Sequence, residues 1–179
     1  MQHFTMTATQ IEQSIENEKL ELNFWEKYDH YSLGWGLLFP AVLLVLLMIF
    51  KEGFDSFLFT MSLIFFTPAF LILFHYAEKR LILHKSKRKF SSNEEAYKEV
   101  VMTIKNLNWA ILYENNTNYI QAYRYRKNIF ERANEIRIFI RNGNVYSVSL
   151  YYPVMQAGII EDQNPLNVFT FNKAIQNVA

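Results

Sequence analysis

The chain contains no cysteine, and its 179 residues include only five glycines and four prolines. Without cysteine it can form no disulfide, thiolate nucleophile, iron–sulfur cluster or cysteine-based zinc site. No glycine-rich phosphate loop is present. A formal net charge of +1 gives no whole-molecule attraction to nucleic acid. No Ser-His-Asp arrangement is suggested either, so the sequence predicts a protein that is not an enzyme and needs no cofactor.

Formal charge is absent above all from two long apolar runs, residues 32–50 and 57–77. Each has about 20 residues, which at ~1.5 Å per residue matches a hydrocarbon layer of ~30 Å. The runs are separated only by Lys51–Ser56, so they predict a two-helix transmembrane hairpin over residues 31–77. Pro40 and Pro68 lie inside the predicted spans and indicate kinks.

The charges flanking these runs predict an orientation. So short a link makes the spans antiparallel, and basic residues near span ends stay on the cytoplasmic side. The sequence therefore predicts an integral membrane protein with a cytoplasmic N-terminus and a cytoplasmic C-terminal domain. Frequent Asn, Lys, Ile, Phe and Tyr, whose codons are AT-rich, point to a bacterial inner membrane. The basic residues that follow the second run are Lys79, Arg80, Lys85, Lys87, Arg88 and Lys89.

Four segments follow from these patterns: an acidic amphipathic arm at 1–30, the hairpin at 31–77, a polybasic juxtamembrane segment at 78–90, and an α+β domain at 91–179. In the arm, Thr9 and Glu12 have capping-box spacing and predict a helix that reaches Trp25. We expect the polybasic segment to continue the second membrane helix. Its six cations are a topology signal, a lipid-binding site, or both together; anionic lipid would contribute about 1 kcal/mol per basic residue. Nucleic acid is the least favoured partner, since no aromatic residues are interleaved.

The last segment predicts a helix, a four-stranded antiparallel meander and a closing helix. Ser92 and Glu95 form a capping box for the first helix. The predicted strands and closing helix are Trp109–Tyr113, Tyr119–Arg126, Glu135–Arg141, Asn144–Tyr152 and Pro165–Gln176. We expect the two helices to cover the isoleucine face of the sheet (Ile136, Ile138 and Ile140) and to leave the other face open.

Asn142-Gly143 is the strongest hairpin signal, and two registers compete for it. A two-residue loop pairs Ile138 with Ser147, and so places serine opposite a core isoleucine. A three-residue loop pairs Ile138 with Tyr146 instead. Because register follows the buried face, the sequence favours the three-residue loop with a bulge.

The open face supplies the candidate partner-binding site. Tyr and Arg are typical anchors of protein interfaces, although an ordinary solvated sheet face is as good an interpretation. The candidate residues are Arg137, Arg141, Tyr123, Tyr125 and Tyr151. His30 and His75 lie at similar predicted membrane depth, but solvated interfacial histidines are favoured over a haem pair. No metal site is predicted.

Together these patterns predict a non-enzymatic accessory or scaffold subunit of a membrane complex, bound to the lipid bilayer and docked to a protein partner or to a copy of itself. The alternative is a membrane-anchored sensor that binds a small anionic ligand. A concave pocket lined by Arg124, Arg126, Arg137 or Arg141 would favour the sensor, and a buried flat sheet edge or face would favour the scaffold.

Overall fold

The computed structural model describes residues 6–31, 36, 39, 41–43, 46, 56–115, 117–124, 134–150 and 164–177. The chain divides into two units. Leu22–Lys79 forms a helical unit, and Met1–Glu21 joins Arg80–Ala179 in a sheet unit. The N-terminal residues therefore belong with the C-terminal half of the chain.

The first helix, α1 (Ala8–Glu16), belongs to the sheet unit, and the helical unit contains α2 (Phe24–His30) and α3 (Ser56–Lys79). The first turn of α2 is fixed reciprocally: the Glu26 N–H donates to Asn23 Oδ1 at 2.9 Å, and the Asn23 N–H donates to the Glu26 carboxylate at 3.0 Å. At the other end, the Tyr31 ring stacks on Phe74 at 5.0 Å and its hydroxyl donates to the Glu78 carboxylate. These contacts attach the end of α2 to the last turns of α3.

The membrane prediction is wrong. Over the residues that the structure describes, no helix is long and apolar enough to cross a membrane. The helix at the second predicted span, α3, has Pro68 inside it, Thr60 and Thr67 interrupt its apolar run, and Lys79 lies in its last turn. Most of the first predicted span lies outside the described residues. The two-span hairpin, the integral membrane location and the orientation derived from it are all corrected by this finding.

The sheet has five antiparallel strands in the order β1-β5-β4-β3-β2, not the predicted four. The strands are β1 (His84–Lys89), β2 (Trp109–Asn115), β3 (Tyr119–Arg124), β4 (Asn134–Arg141) and β5 (Asn144–Leu150). The additional strand is β1, which lies within the polybasic segment where a helix was predicted. Cross-strand pairing with β5 decides this conformation, since strand formation depends on neighbours more than on intrinsic propensity.

Two helices cover the isoleucine face: α4 (Asn93–Asn106) and α5 (Asn164–Gln176). The Ser92 hydroxyl accepts the Glu95 N–H at 3.1 Å, which confirms Ser92 as the cap of α4. The other half of the predicted capping box differs, since the Glu95 carboxylate accepts from the Ser91 N–H at 3.0 Å. The core joins Ala96, Val100 and Ile104 of α4 and Phe171 and Ile175 of α5 to the isoleucines. Burying an apolar side chain of this size stabilises a fold by about 1.5–3 kcal/mol.

The β4–β5 hairpin adopts the register of a two-residue loop, so the predicted three-residue loop is wrong. Asn142 and Gly143 have φ of 52° and 71°, as a two-residue type I′ loop requires, and Ile138 pairs with Ser147. Serines are tolerated on the isoleucine face because α5 brings asparagines to them. The Asn167 amide donates to Ser149 Oγ at 3.4 Å, and Ser147 Oγ donates to Asn172 Oδ1 at 3.4 Å. A buried hydroxyl with a hydrogen-bond partner no longer opposes burial.

Gly143 also joins this loop to the rest of the sheet unit. Its N–H donates to Asn93 Oδ1 and its carbonyl accepts the Phe90 N–H, both at 2.9 Å. A Cβ at this position would lie 2.1 Å from the Phe90 carbonyl oxygen. Both the positive φ and this close approach therefore require glycine.

The second face of the sheet is buried, against the prediction of an open surface. We define it by its most buried members: Tyr119, Gln121, Arg137, Phe139, Val148 and Leu150. The helix α1 (Ala8–Glu16) contacts β4, and Glu16 Oε1 lies 3.7 Å from Nη1 of Arg141. The prediction of an open face was wrong because alternation along a strand shows which residues share a face. It does not show whether another segment covers that face.

The N-terminal arm ends beside the start of β1. The Leu20 N–H donates to the Leu81 carbonyl at 2.8 Å, and the Leu83 N–H donates to the Glu18 carbonyl at 2.9 Å. The cap of α1 is Thr7 with Gln10, two residues before the predicted pair, and the helix stops at Glu16. These backbone bonds hold the arm to the segment that precedes β1.

Candidate functional site

Three polar side chains occupy the middle of the second face. Arg137 is 1% exposed, and its Nε lies 2.5 Å from Glu135 Oε1. Gln121 lies directly across the ladder from Arg137, on β3. Both amide atoms of Gln121 are buried, and neither has a hydrogen-bond partner in the described part of the chain. A buried polar group without a partner costs about 1–3 kcal/mol. The arrangement is a paired internal charge beside an unsatisfied amide.

The three described residues of the predicted partner site differ in exposure. Arg137 is buried, Tyr123 is half-buried and Arg141 is exposed. Tyr125 and Tyr151 lie outside the described residues. Their role in partner binding stays a prediction, but Arg137 cannot be reached from solvent in this conformation.

The arginines proposed for an anionic pocket point to different faces of the sheet. Arg124 Nη1 donates to Asn167 Oδ1 of α5 at 2.9 Å, which places it on the isoleucine face. Arg137 lies on the second face, and Arg141 is within 3.7 Å of Glu16. Arg126 lies outside the described residues. The described arginines therefore do not converge on one ligand.

The predicted lipid-binding residues also lie in different parts of the structure. Lys79 is the last residue of α3, whereas Arg80 begins the second part of the sheet unit. Lys85, Lys87 and Lys89 are exposed on β1. Lipid binding by the predicted set of six (Lys79, Arg80, Lys85, Lys87, Arg88 and Lys89) stays a prediction.

Two cations of β1 interact with aromatic rings of the sheet unit. Lys85 Nζ lies 5.7 Å from the centre of the Tyr146 ring. Arg88 is half-buried, with its guanidinium 4.7 Å from the centre of the Phe90 ring, and its Nη1 donates to the Ile175 carbonyl at 3.3 Å. Arg88 therefore helps to attach α5 to β1, in addition to any role at the surface.

The histidines considered for haem have other surroundings. His30 Nε2 lies 2.8 Å from the Ala77 carbonyl oxygen, and His75 is exposed. The described ranges contain no group of three or more His, Asp or Glu side chains placed to hold a metal ion.

Tyr97 connects α4 to β2. Its hydroxyl donates to Glu114 Oε2 at 2.5 Å. This hydrogen bond, followed by burial and the charge of Glu114, raises the pKa of Tyr97 above its ordinary value. The phenol therefore stays protonated near neutral pH and keeps donating to Glu114.

Sequence reasoning missed two exposed apolar features. The first, here called the α3 apolar surface, consists of Met61, Ile64, Phe65 and Ile72. The second is the β2 edge, Trp109–Asn115, at the end of the sheet opposite β1. The first was interpreted as lipid-facing, and the second was interpreted as one strand of a meander without regard to its position. For the β2 edge, the sequence did offer one indication: the strand directly follows a helix and contains no basic residue.

Comparison of the chain with protein-family models, curated proteins and solved structures finds no match. The function is therefore argued from the residues and contacts described above.

Proposed function

We propose that this chain is a non-enzymatic accessory or scaffold subunit of a multi-chain assembly, in which α3 packs against an apolar helix of another chain. The α3 apolar surface carries the proposal. Met61 is 37% exposed, Ile64 55%, Phe65 70% and Ile72 65%. Large apolar surfaces that stay exposed mark interaction sites in folded proteins.

The spacing of this surface suits a helical partner. Met61, Ile64, Phe65 and Ile72 are separated by three, one and seven positions, so they lie along one side of α3. Such a stripe presents the ridges that interdigitate with a second helix. Within the helical unit, the end of α2 contacts α3 near Phe74 and Glu78, beyond this stripe. An apolar helix is thus the occupant that fits both the chemistry and the shape.

The polar residues of the sheet unit support a structural role more than a ligand-binding one. Arg124, Arg137 and Arg141 each face a polar or acidic side chain of the same chain. An anionic ligand would have to displace these contacts at three separate places. The sensor alternative therefore has no specific observation in its favour.

The test compares two pairs of substitutions in the tagged full chain, purified from its source cells in a mild non-ionic detergent. The test pair is Ile64→Ser with Phe65→Ser, on the α3 apolar surface. The control pair is Met102→Ser with Leu166→Ser, which are 50% and 49% exposed on α4 and α5. A photo-crosslinking amino acid at position 65 or at position 102 identifies the chain in contact.

We expect position 65 to crosslink to a helix of another chain, and the test pair to lower recovery of that chain about tenfold or more. Each large apolar side chain contributes about 1.5–3 kcal/mol when buried, and 1.4 kcal/mol is a factor of ten. The control pair should recover it as the wild type does. Equal recovery with the test pair, or equal crosslinking from position 102, would contradict the proposal.

A further inference from the structure

The loop between β4 and β5 carries the one Asn-Gly pair of the sequence, Asn142-Gly143. Asparagine before glycine is prone to spontaneous deamidation, because glycine has no side chain that hinders attack by its backbone nitrogen. The Gly143 nitrogen would bond to Cγ of Asn142, and the side-chain nitrogen would leave as ammonia with the proton that Gly143 loses. Water then opens the resulting five-membered imide at either carbonyl and gives aspartate or isoaspartate. Asn142 is exposed, so water has access to it.

The fold restrains the nitrogen that would attack. The Gly143 N–H donates to Oδ1 of Asn93, the first residue of α4, at 2.9 Å. The Asn142 carbonyl accepts from Nδ2 of Asn144 at 3.4 Å. Both ends of the peptide group between Asn142 and Gly143 are therefore engaged. A rotation that turns its nitrogen toward the Asn142 side chain would break the bond to Asn93.

The Asn93 amide is itself held in place. Its Nδ2 donates to Asn118 Oδ1 at 3.3 Å, in the turn between β2 and β3. The Asn118 carbonyl accepts the Ile140 N–H at 2.8 Å. This second contact fixes which end of the Asn93 amide faces the loop, so its oxygen stays directed at Gly143.

We propose that Asn142 is a deamidation site whose conversion is kept slow in the folded chain by the bond between Asn93 and Gly143. The site would record each opening of this loop, because only an open loop frees the Gly143 nitrogen. The inference concerns residues of the sheet unit alone. It goes beyond the proposed function and does not depend on what packs against α3.

Conversion to isoaspartate would have a structural consequence. The main chain would then run through Cβ of residue 142, which lengthens the loop by one atom. The length of a hairpin loop sets the register of its strands. Gly143 leaves little room for adjustment, since even a Cβ there would lie 2.1 Å from the Phe90 carbonyl oxygen.

The test follows deamidation of the full chain in mildly alkaline buffer, with detergent because of the α3 apolar surface. Asn93→Ala removes the acceptor, whereas Asn93→Asp keeps an oxygen at the same position. Ile104→Val is the matched control, since it mildly destabilises the core from the same helix and leaves the Asn93 amide in place. Each chain is also incubated in urea, and circular dichroism checks that the others are folded. Peptide mass spectrometry measures conversion at Asn142, and an isoaspartate-specific methyltransferase measures the isoaspartate.

We expect the folded wild type to convert more slowly than the same chain in urea, and all variants to convert equally in urea. Folded Asn93→Ala should convert about fivefold faster than the folded wild type or more, the factor that one net hydrogen bond contributes. Asn93→Asp and Ile104→Val should stay close to the wild type. Equal wild-type rates with and without urea, no acceleration by Asn93→Ala, or equal acceleration by Ile104→Val would overturn the inference.

Discussion

Arg137 is the residue whose surroundings differ most from those its sequence position predicts. It stands between Ile136 and Ile138, so alternation puts it on the face opposite the isoleucines. A charged residue on that face predicts that the face is exposed to solvent. Instead the guanidinium is 1% exposed and paired with Glu135. The residue types gave the correct face. The segment that contacts β4, α1 (Ala8–Glu16), lies more than 115 positions earlier in the chain.

Arg137→Ala should lower the free energy of unfolding by about 3 kcal/mol or more, because removing one partner of a buried pair leaves the other charge uncompensated. Arg141→Ala is the matched control. Its contact with Glu16 is 3.7 Å long and exposed on both sides, so we expect a change within about 0.5 kcal/mol. Urea denaturation of both variants measures the difference.

The result also separates a structural role from a surface role for Arg137. A loss of stability confined to Arg137→Ala supports burial. Equal and small effects of the two substitutions would indicate that Arg137 is exposed and able to face a partner. The second face of the sheet would then have to be uncovered.

At the scale of elements, local signals predicted α4 best. Ser92, Glu95 and the stripe Ala96, Val100 and Ile104 lie within one helix and depend on nothing distant. The strand β1 was missed because its pairing partner, β5, is remote in sequence and its own composition resembles a helix end. The hairpin register was missed because Asn167 and Asn172, which satisfy the serines, come from a different element.

The N-terminus of α4 gives a pH-dependent prediction. The Ser91 hydroxyl and the Ser91 N–H both donate to the Glu95 carboxylate, the latter at 3.0 Å. These bonds lower the pKa of Glu95. A folded-state pKa below the unfolded value stabilises the fold above the unfolded pKa, and this stabilisation is lost as pH falls through the folded pKa.

Glu95→Gln should therefore lower the Tm near neutral pH, and the difference from the wild type should disappear in strong acid. Glu94→Gln is the control, since Glu94 is an exposed carboxylate in the same first turn. Calorimetry across an acid-to-neutral series follows both variants. A Tm difference for Glu95→Gln that persists unchanged into strong acid would exclude the Ser91 bonds as its source.

Within the whole molecule, the N-terminal arm completes the sheet unit. Met6, Ile11, Ile15 and Leu20 are all at most 8% exposed. Removal of residues 1–21 should lower the free energy of unfolding by several kcal/mol, since each buried apolar side chain contributes about 1.5–3 kcal/mol. Denaturation of the truncated chain and its binding of a hydrophobic dye measure the loss.

Glu12→Ala with Gln13→Ala provides the control for this truncation. Both residues are exposed on α1, so the double variant should stay within about 0.5 kcal/mol per site of the wild type. A truncated chain as stable as this control would show that the arm does not contribute to the fold.

The pairing of β1 with β5 also fixes an order of events during synthesis. Lys89 and its partner Asn144 are 55 positions apart (144 − 89), so β1 leaves the ribosome well before its neighbour exists. Contacts between distant residues form late and leave strand edges exposed meanwhile. We expect the lysines of β1 to oppose wrong pairing during this interval, because charged side chains on an exposed strand disfavour its association with another chain. The same residues that protect the edge of the finished sheet therefore protect the nascent chain before the sheet has formed.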